Sequence, residues 1–198
     1  MAIIKTTGKE KYVTYLEPDK LKEFRPSCIL THLDSSFLGT KPISGWWGSP
    51  VDANFGWKDW CESEDYGNYD FNNPIYWKLK EGSKIFQIDW KEVELDKSNT
   101  LLKYIKFRDL KKKEDLKDMP IEAKINTLTH NGYSYDDLLI VIDFVSMLDD
   151  RIVAVELLNS CIGHNFINNL EISFNSWDCE SIVVLDKNYI EWRDNETN

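Results

Sequence analysis

The stretch from Ile43 to Cys61, Ile-Ser-Gly-Trp-Trp-Gly-Ser-Pro-Val-Asp-Ala-Asn-Phe-Gly-Trp-Lys-Asp-Trp-Cys, holds four tryptophans and three glycines and few aliphatic residues. An ordinary core strand alternates aliphatic and polar side chains or runs aliphatic throughout, and this one does neither. Glycine beside a large ring lets a backbone come close to a flat object, and the rings supply faces on which that object can stack. Two arrangements meet this pattern: the floor and wall of a ligand pocket, or a tryptophan-rich turn closing on the core.

Around this stretch the chain reads as one globular domain over residues 1–198. Its 198 residues, 42% of them apolar, can bury one good core. The longest apolar runs, such as Leu138 to Ile142, are broken by aspartates within a few residues, far short of a membrane span, so no membrane partner is expected. Met1 to Thr7 lacks the charged, apolar, small-residue order of a secretory leader, which makes cytoplasm the expected location. Cys28, Cys61, Cys161 and Cys179 show no CxxC pairing and read as free thiols filling core space. A net charge of −10 disfavours direct nucleic-acid binding, which relies on clustered Lys and Arg. The basic run Lys111 to Lys113 is flanked by Asp109, Glu114 and Asp115 and reads as a solvated face.

Local pattern predicts a mixed α+β chain. Lys11 to Leu16 has the ring and β-branched content of a short strand, here expected at a sheet edge. Ser27 to His32 is an apolar strand that delivers His32 at its end, and Gly45 to Ser49 is a further strand. Pro50 suits the first turn of a helix over 51–61 with Ser49 as its cap. Residues 62–74 form a polar loop, and Ile75 to Lys80 and Lys84 to Asp89 read as a hairpin around Glu81-Gly82. Residues 90–117 are helix-permissive, 121–128 is a helix after Pro120, and Asn131-Gly132 marks a turn. Tyr135 to Leu148 carries apolar residues at helical spacing, with Asp136 and Asp137 where they favour a helix start. Arg151 to Asn159 fits a helix or a strand, whereas Leu170 to Phe174 and Ser181 to Leu185 read as strands.

Few residues stand out chemically. His32, His130 and His164 have no Glu or His at metal-ligand spacing, so no metal site is expected. His130 adjoins the Asn131-Gly132 turn and His164 follows Gly163, which gives both a local structural role. His32 ends a strand just before the aromatic stretch and is either a hydrogen-bonded core residue or a site residue. Glu180 follows Trp177 and opens an apolar strand, where a carboxylate costs desolvation energy unless it is paired or used. The alternative for Glu180 is an exposed strand-end residue. No Ser-His-Asp order or glycine-rich nucleotide loop is present.

Taken in chain order, a histidine, an aromatic pair and a glutamate resemble the ADP-ribosyltransferase superfamily, and within it the branch of diphtheria toxin and the poly(ADP-ribose) polymerases. Ile29-Leu30-Thr31-His32 is similar to the family strand ending in His-Gly, with Leu33 in place of the glycine. Gly45-Trp46-Trp47-Gly48-Ser49 with Trp57 is similar to the Gly-x-Tyr-Phe-Ala strand and the tyrosine of the helix after it, with tryptophans for both tyrosines. Glu180-Ser181-Ile182-Val183-Val184-Leu185-Asp186 matches the family's glutamate-led apolar strand.

The resemblance implies a pair of small packed sheets around a cleft that holds NAD as substrate; residues of about 90–170 have no counterpart in it and are expected to form a helical insertion that selects the target. It implies that His32 hydrogen-bonds the adenosine ribose and that the Leu33 backbone clamps the nicotinamide amide. Trp47 and Trp57, or Phe55 in the latter's place, would sandwich the nicotinamide ring. Gly45, Ser49 and Asn54 join the cofactor-binding set, Asn54 where the polymerases carry a serine. Glu180 would be the catalytic residue, stabilising positive charge on the nicotinamide ribose. The function so implied is mono-ADP-ribosylation of a protein target. An effector in conflict between phages and bacteria fits it, acting on a defence component in host cytoplasm. Two alternatives stay open: an acidic binding or inhibitor protein without catalysis, and an NAD glycohydrolase.

Overall fold

The computed structural model describes residues 3–6, 10–25, 40–42, 44–91, 100–107, 123, 140–163, 166–167 and 170–192. The strands among them are β1 (Ile3–Thr6), β2 (Tyr12–Thr14), β3 (Trp46–Pro50), β4 (Ile75–Leu79), β5 (Lys84–Ile88), β6 (Ile105–Phe107), β7 (Ile140–Ile142), β8 (Ile152–Leu157), β9 (Phe166–Ile167), β10 (Leu170–Glu171), β11 (Ser181–Val184) and β12 (Ile190–Trp192). The α-helices are α1 (Pro18–Glu23), α2 (Trp57–Glu64) and α3 (Phe144–Asp149). The fold is therefore mixed α+β, as the pattern predicts.

Eight strands run in the order β1-β5-β8-β11-β3-β2-β4-β12, and β6-β7 and β9-β10 form separate pairs. Within the eight, β5 and β8 are parallel and the other neighbours antiparallel. Strand β3 is the joint between two groups. It meets β11 through Trp46 to Gly48 and β2 through Ser49 and Pro50. The central strands are apolar on both faces, so each face carries its own core. Phe86, Ile88, Val155, Leu157 and Val183 pack with Tyr104, Phe144, Met147 and Trp177 on one side. Ile85, Ala154, Ile182 and Val184 pack with Tyr12, Trp46, Trp77 and Leu79 on the other.

Several expectations are corrected. Strand β2 lies between β3 and β4 rather than at an edge. Strands β4 and β5 form where expected but do not pair as a hairpin. The 80–83 turn, closed by Ser83 N–H to Lys80 O at 3.1 Å, carries the chain from one strand group to the other. Both edges of β5 are already taken, by β1 on one side and by the buried β8 on the other, which leaves none for β4. Helix α2 begins at Trp57, and Pro50 ends β3 instead of opening a helix at 51.

The region from 90 to 170 is no helical insertion in its described part, because it supplies β8, a buried central strand, along with β6, β7 and β9. Residues 140–142 pair with β6, so only Phe144–Asp149 of the helix expected over 135–148 forms one among the described residues. The undecided segment 151–159 contains β8, and within 170–174 only Leu170 and Glu171 are strand. The strand expected at 27–32 and the turn at 131–132 lie outside the described residues, as do Cys28, all three histidines and, apart from the helical Ala123, the helix expected at 121–128. Cys61, Cys161 and Cys179 are free and buried, as expected. Burial pushes their thiols up, to about 11, about 12 and about 11 respectively.

Candidate functional site

The aromatic stretch divides between the two faces of β3. Trp46 pairs with Val184 and turns into the second core, where its ring meets Phe24 at 5.1 Å and Trp192 at 5.3 Å. Trp47 pairs with Val183 and turns to the opposite face. There it walls a cavity of about 380 Å³ together with Trp57, Tyr69 and Trp177. Gly45, Gly48, Thr14, Tyr15, Lys41 and Ser181 also line it. A volume of this size is that of a small-molecule site.

Two stacking candidates from the sequence, Trp47 and Trp57, thus come together on one cavity although they sit on a strand and a helix. Trp177 packs edge-on against Trp47 at 4.9 Å, and Lys41 Nζ stands 5.2 Å from the Trp47 ring centroid. Trp57 stacks on Trp60 at 5.0 Å and takes Tyr69 edge-on at 5.6 Å. Phe55, the alternative to Trp57, is not among the lining residues.

The glycines serve the strands as much as the cavity. A Cβ on Gly48 would come within 2.8 Å of both Trp77 Cζ2 and Val13 O, and Gly45 holds φ +113 beside Val183 and Val184. Close packing of β3 on its neighbours therefore explains both residues without a ligand. Ser49 is buried, and its Oγ accepts from Trp57 N at 2.9 Å, so it caps α2 from eight residues upstream. Asp59 closes the same helix start by accepting from Gly56 N at 2.9 Å.

Glu180 is buried, with its backbone N donating to Phe55 O at 3.0 Å. Its Oε2 accepts from Asn54 N at 3.3 Å, so Asn54 meets Glu180 through its backbone while its side chain is exposed. Glu180 lies one residue before β11. It is not among the residues lining the cavity. Burial raises the Glu180 carboxyl above its ordinary range. The Asn54 N–H pulls it down, and the charges of Glu156 and Asp52 raise it further. Glu156 itself is buried, accepting from Gln87 Nε2 at 2.5 Å and Tyr12 OH at 3.4 Å.

The sequence reading missed Lys41, Tyr69 and Ser181 as cavity residues and the Glu156 node altogether. A lysine and a tyrosine in loops leave no periodic trace, but Trp177 immediately before the Glu180 strand was a usable signal. His32 and Leu33 lie outside the described residues. Among the described residues no group of three or more His, Cys, Asp or Glu could hold a metal ion, and no helix is long and apolar enough to cross a membrane. Comparison with family models, with characterised proteins and with solved structures finds no match to this chain.

Proposed function

We propose that the cavity binds NAD and that the protein transfers ADP-ribose from it to a protein target. One observation carries this reading: Trp47 and Trp57, on separate elements, line a single cavity with Ser181, the residue next to Glu180. The nicotinamide ring lies against the two tryptophans beside Ser181, and transfer requires the Glu180 carboxylate, which does not line the cavity, to turn from the Asn54 N–H to the ribose. As the bond between ribose C1′ and the ring nitrogen breaks, its electron pair goes to that nitrogen and the pyridinium becomes neutral nicotinamide. Glu180 stabilises the positive charge left on the ribose, and the acceptor's nucleophilic atom bonds C1′ and releases its proton. His32 and the Leu33 backbone take the ribose and amide contacts that the family resemblance implies. The grouping of strands on the two sides of β3 corresponds, in this proposal, to the family's two sheets. The phage-effector role and a defence-component target belong to the same proposal.

A second reading, ligand binding without transfer, is favoured by the place of Glu180, whose carboxylate accepts from the Asn54 N–H and does not line the cavity. Incubation of the purified protein with NAD, with and without cell lysate, separates the two. Nicotinamide release with labelling of protein supports transfer, and release without labelling points to a hydrolase. Retained NAD binding without release leaves the binding protein. Removing one stacking wall by Trp47→Ala weakens NAD binding about ten-fold on the scale of base–aromatic stacking, and an unchanged affinity removes the cavity from the proposal.

A further inference from the structure

We infer that Lys41 is the phosphate-binding residue of the tryptophan cavity, so that its ligand is a flat heteroaromatic ring carrying a phosphate through a sugar. The inference rests on the NAD reading and names the group that fixes the ligand in the site. The chain carries a net charge of −10, yet the one charged side chain among the described residues lining the cavity is a lysine. A cation beside ring faces offers an anionic ligand group a partner in exchange for the Asp178 carboxylate it now pairs with.

The lysine is also placed rather than loose. Trp177 Nε1 donates to Thr40 O at 3.1 Å, and Thr40 Oγ1 donates to Ser173 O at 2.6 Å, which ties the backbone beside Lys41 to the 173–177 segment. Its side chain is 23% exposed, its Nζ reaches Asp178 Oδ2 at 3.3 Å, and the same Nζ stands over Trp47. Asp178 holds φ 66, a left-handed conformation that Asp tolerates better than most residues. Its carboxylate occupies the place of an anion beside a ring-binding wall. Lysine is a compact charge on a four-carbon stem, so Nζ can leave Asp178 for a phosphate oxygen without a backbone change. The cavity then provides ring faces at Trp47 and Trp57 and a charge beside them, which together suit a nucleotide better than a bare ring.

The test uses two ligand pairs that differ by one phosphate each, nicotinamide mononucleotide against nicotinamide riboside and AMP against adenosine, titrated by calorimetry at low and high salt. At least one nucleotide is expected to bind about ten-fold tighter than its nucleoside, with the gap shrinking in salt. Lys41→Gln abolishes the gap, lowering nucleotide affinity to that of the nucleoside. Asp178→Asn, which keeps a residue suited to the left-handed backbone, removes the competing anion and widens it. A salt bridge that only braced the fold would make both variants lose affinity together, and that result overturns the inference. Equal binding of nucleotide and nucleoside by the unaltered protein overturns it too, while leaving the NAD reading in place. A gap for AMP with no binding of either nicotinamide ligand overturns the placement of nicotinamide on the tryptophan walls and keeps the phosphate role. Failure of all four ligands to bind overturns both.

Discussion

Glu180 shows how one side chain can answer a structural need and a chemical one with opposite consequences for stability. It satisfies the Asn54 N–H of the loop that leads into α2, yet it is buried near a second carboxylate. Its pKa is raised in the fold, so the folded state favours the protonated form. The stability this gives is fully present below the ordinary carboxylate range and is lost as pH rises through the raised value. Glu180→Gln keeps an oxygen for Asn54 and removes the charge. It should therefore melt higher than the unaltered protein at pH 7, with the advantage vanishing at pH 3. Under the transfer proposal the same substitution lowers nicotinamide release about 100-fold or more, the scale on which a preorganised charge contributes to a transition state. Activity lost with stability gained marks a residue kept for chemistry, whereas a lower melting temperature at pH 7 shows that the charge serves the fold.

At the scale of elements, the start of α2 decides where the Trp57 wall stands. Ser49 on β3 caps the Trp57 N–H, so strand and helix are joined by one hydroxyl beneath the cavity. Ser49→Ala leaves that N–H unpaired and costs about 1 kcal/mol, read as a fall of about 2–4 °C in melting temperature. Ligand affinity should fall with it through displacement of Trp57, and loss of affinity at unchanged melting temperature would instead give Ser49 a direct ligand contact. Gly48→Ala is harsher, because its new methyl meets Trp77 and the Val13 carbonyl. Overpacking of this kind costs about 1–3 kcal/mol.

These elements also show what pattern alone could and could not deliver. The β-branched run of β11 and the ring-rich β2 announce strands, and Trp47 and Trp57 announce a wall. The pairing of β4 and β5 with different partners depends on contacts far along the chain and has no local signature. Pro50 carries the same local cue at a strand end as at a helix start, and only the Gly56 and Asp59 contact tells them apart. Glu180 was legible as an unusual residue, but its bond to the Asn54 N–H joins residues far apart in the chain and has no local signature. Lys41 reaches the cavity through a tertiary contact with Asp178, so nothing near it in the chain announces the role.

Across the whole molecule the two strand groups share more than β3. Glu156 on β8 accepts from Gln87 on β5 in its own group and from Tyr12 on β2 in the other, so one buried carboxylate ties both groups on the face of the second core. Burial, then the charge of Glu156, holds the Tyr12 phenol far above its ordinary range, and Tyr12 stays a donor at any working pH. Removing the acceptor leaves two buried donors without their partner, each costing about 1–3 kcal/mol. Glu156→Ala should therefore destabilise by about 3 kcal/mol, a fall of about 6–12 °C in melting temperature. Glu156→Gln keeps an oxygen for Gln87 and offers an N–H toward the Tyr12 oxygen, so it should retain most of the stability. Because the node joins the groups, Tyr12→Phe combined with Glu156→Ala should cost less than the sum of the single changes, which a double-mutant cycle in urea measures. Strict additivity would mean that Tyr12 and Glu156 do not interact, and that the two groups are held together by β3 and apolar packing alone.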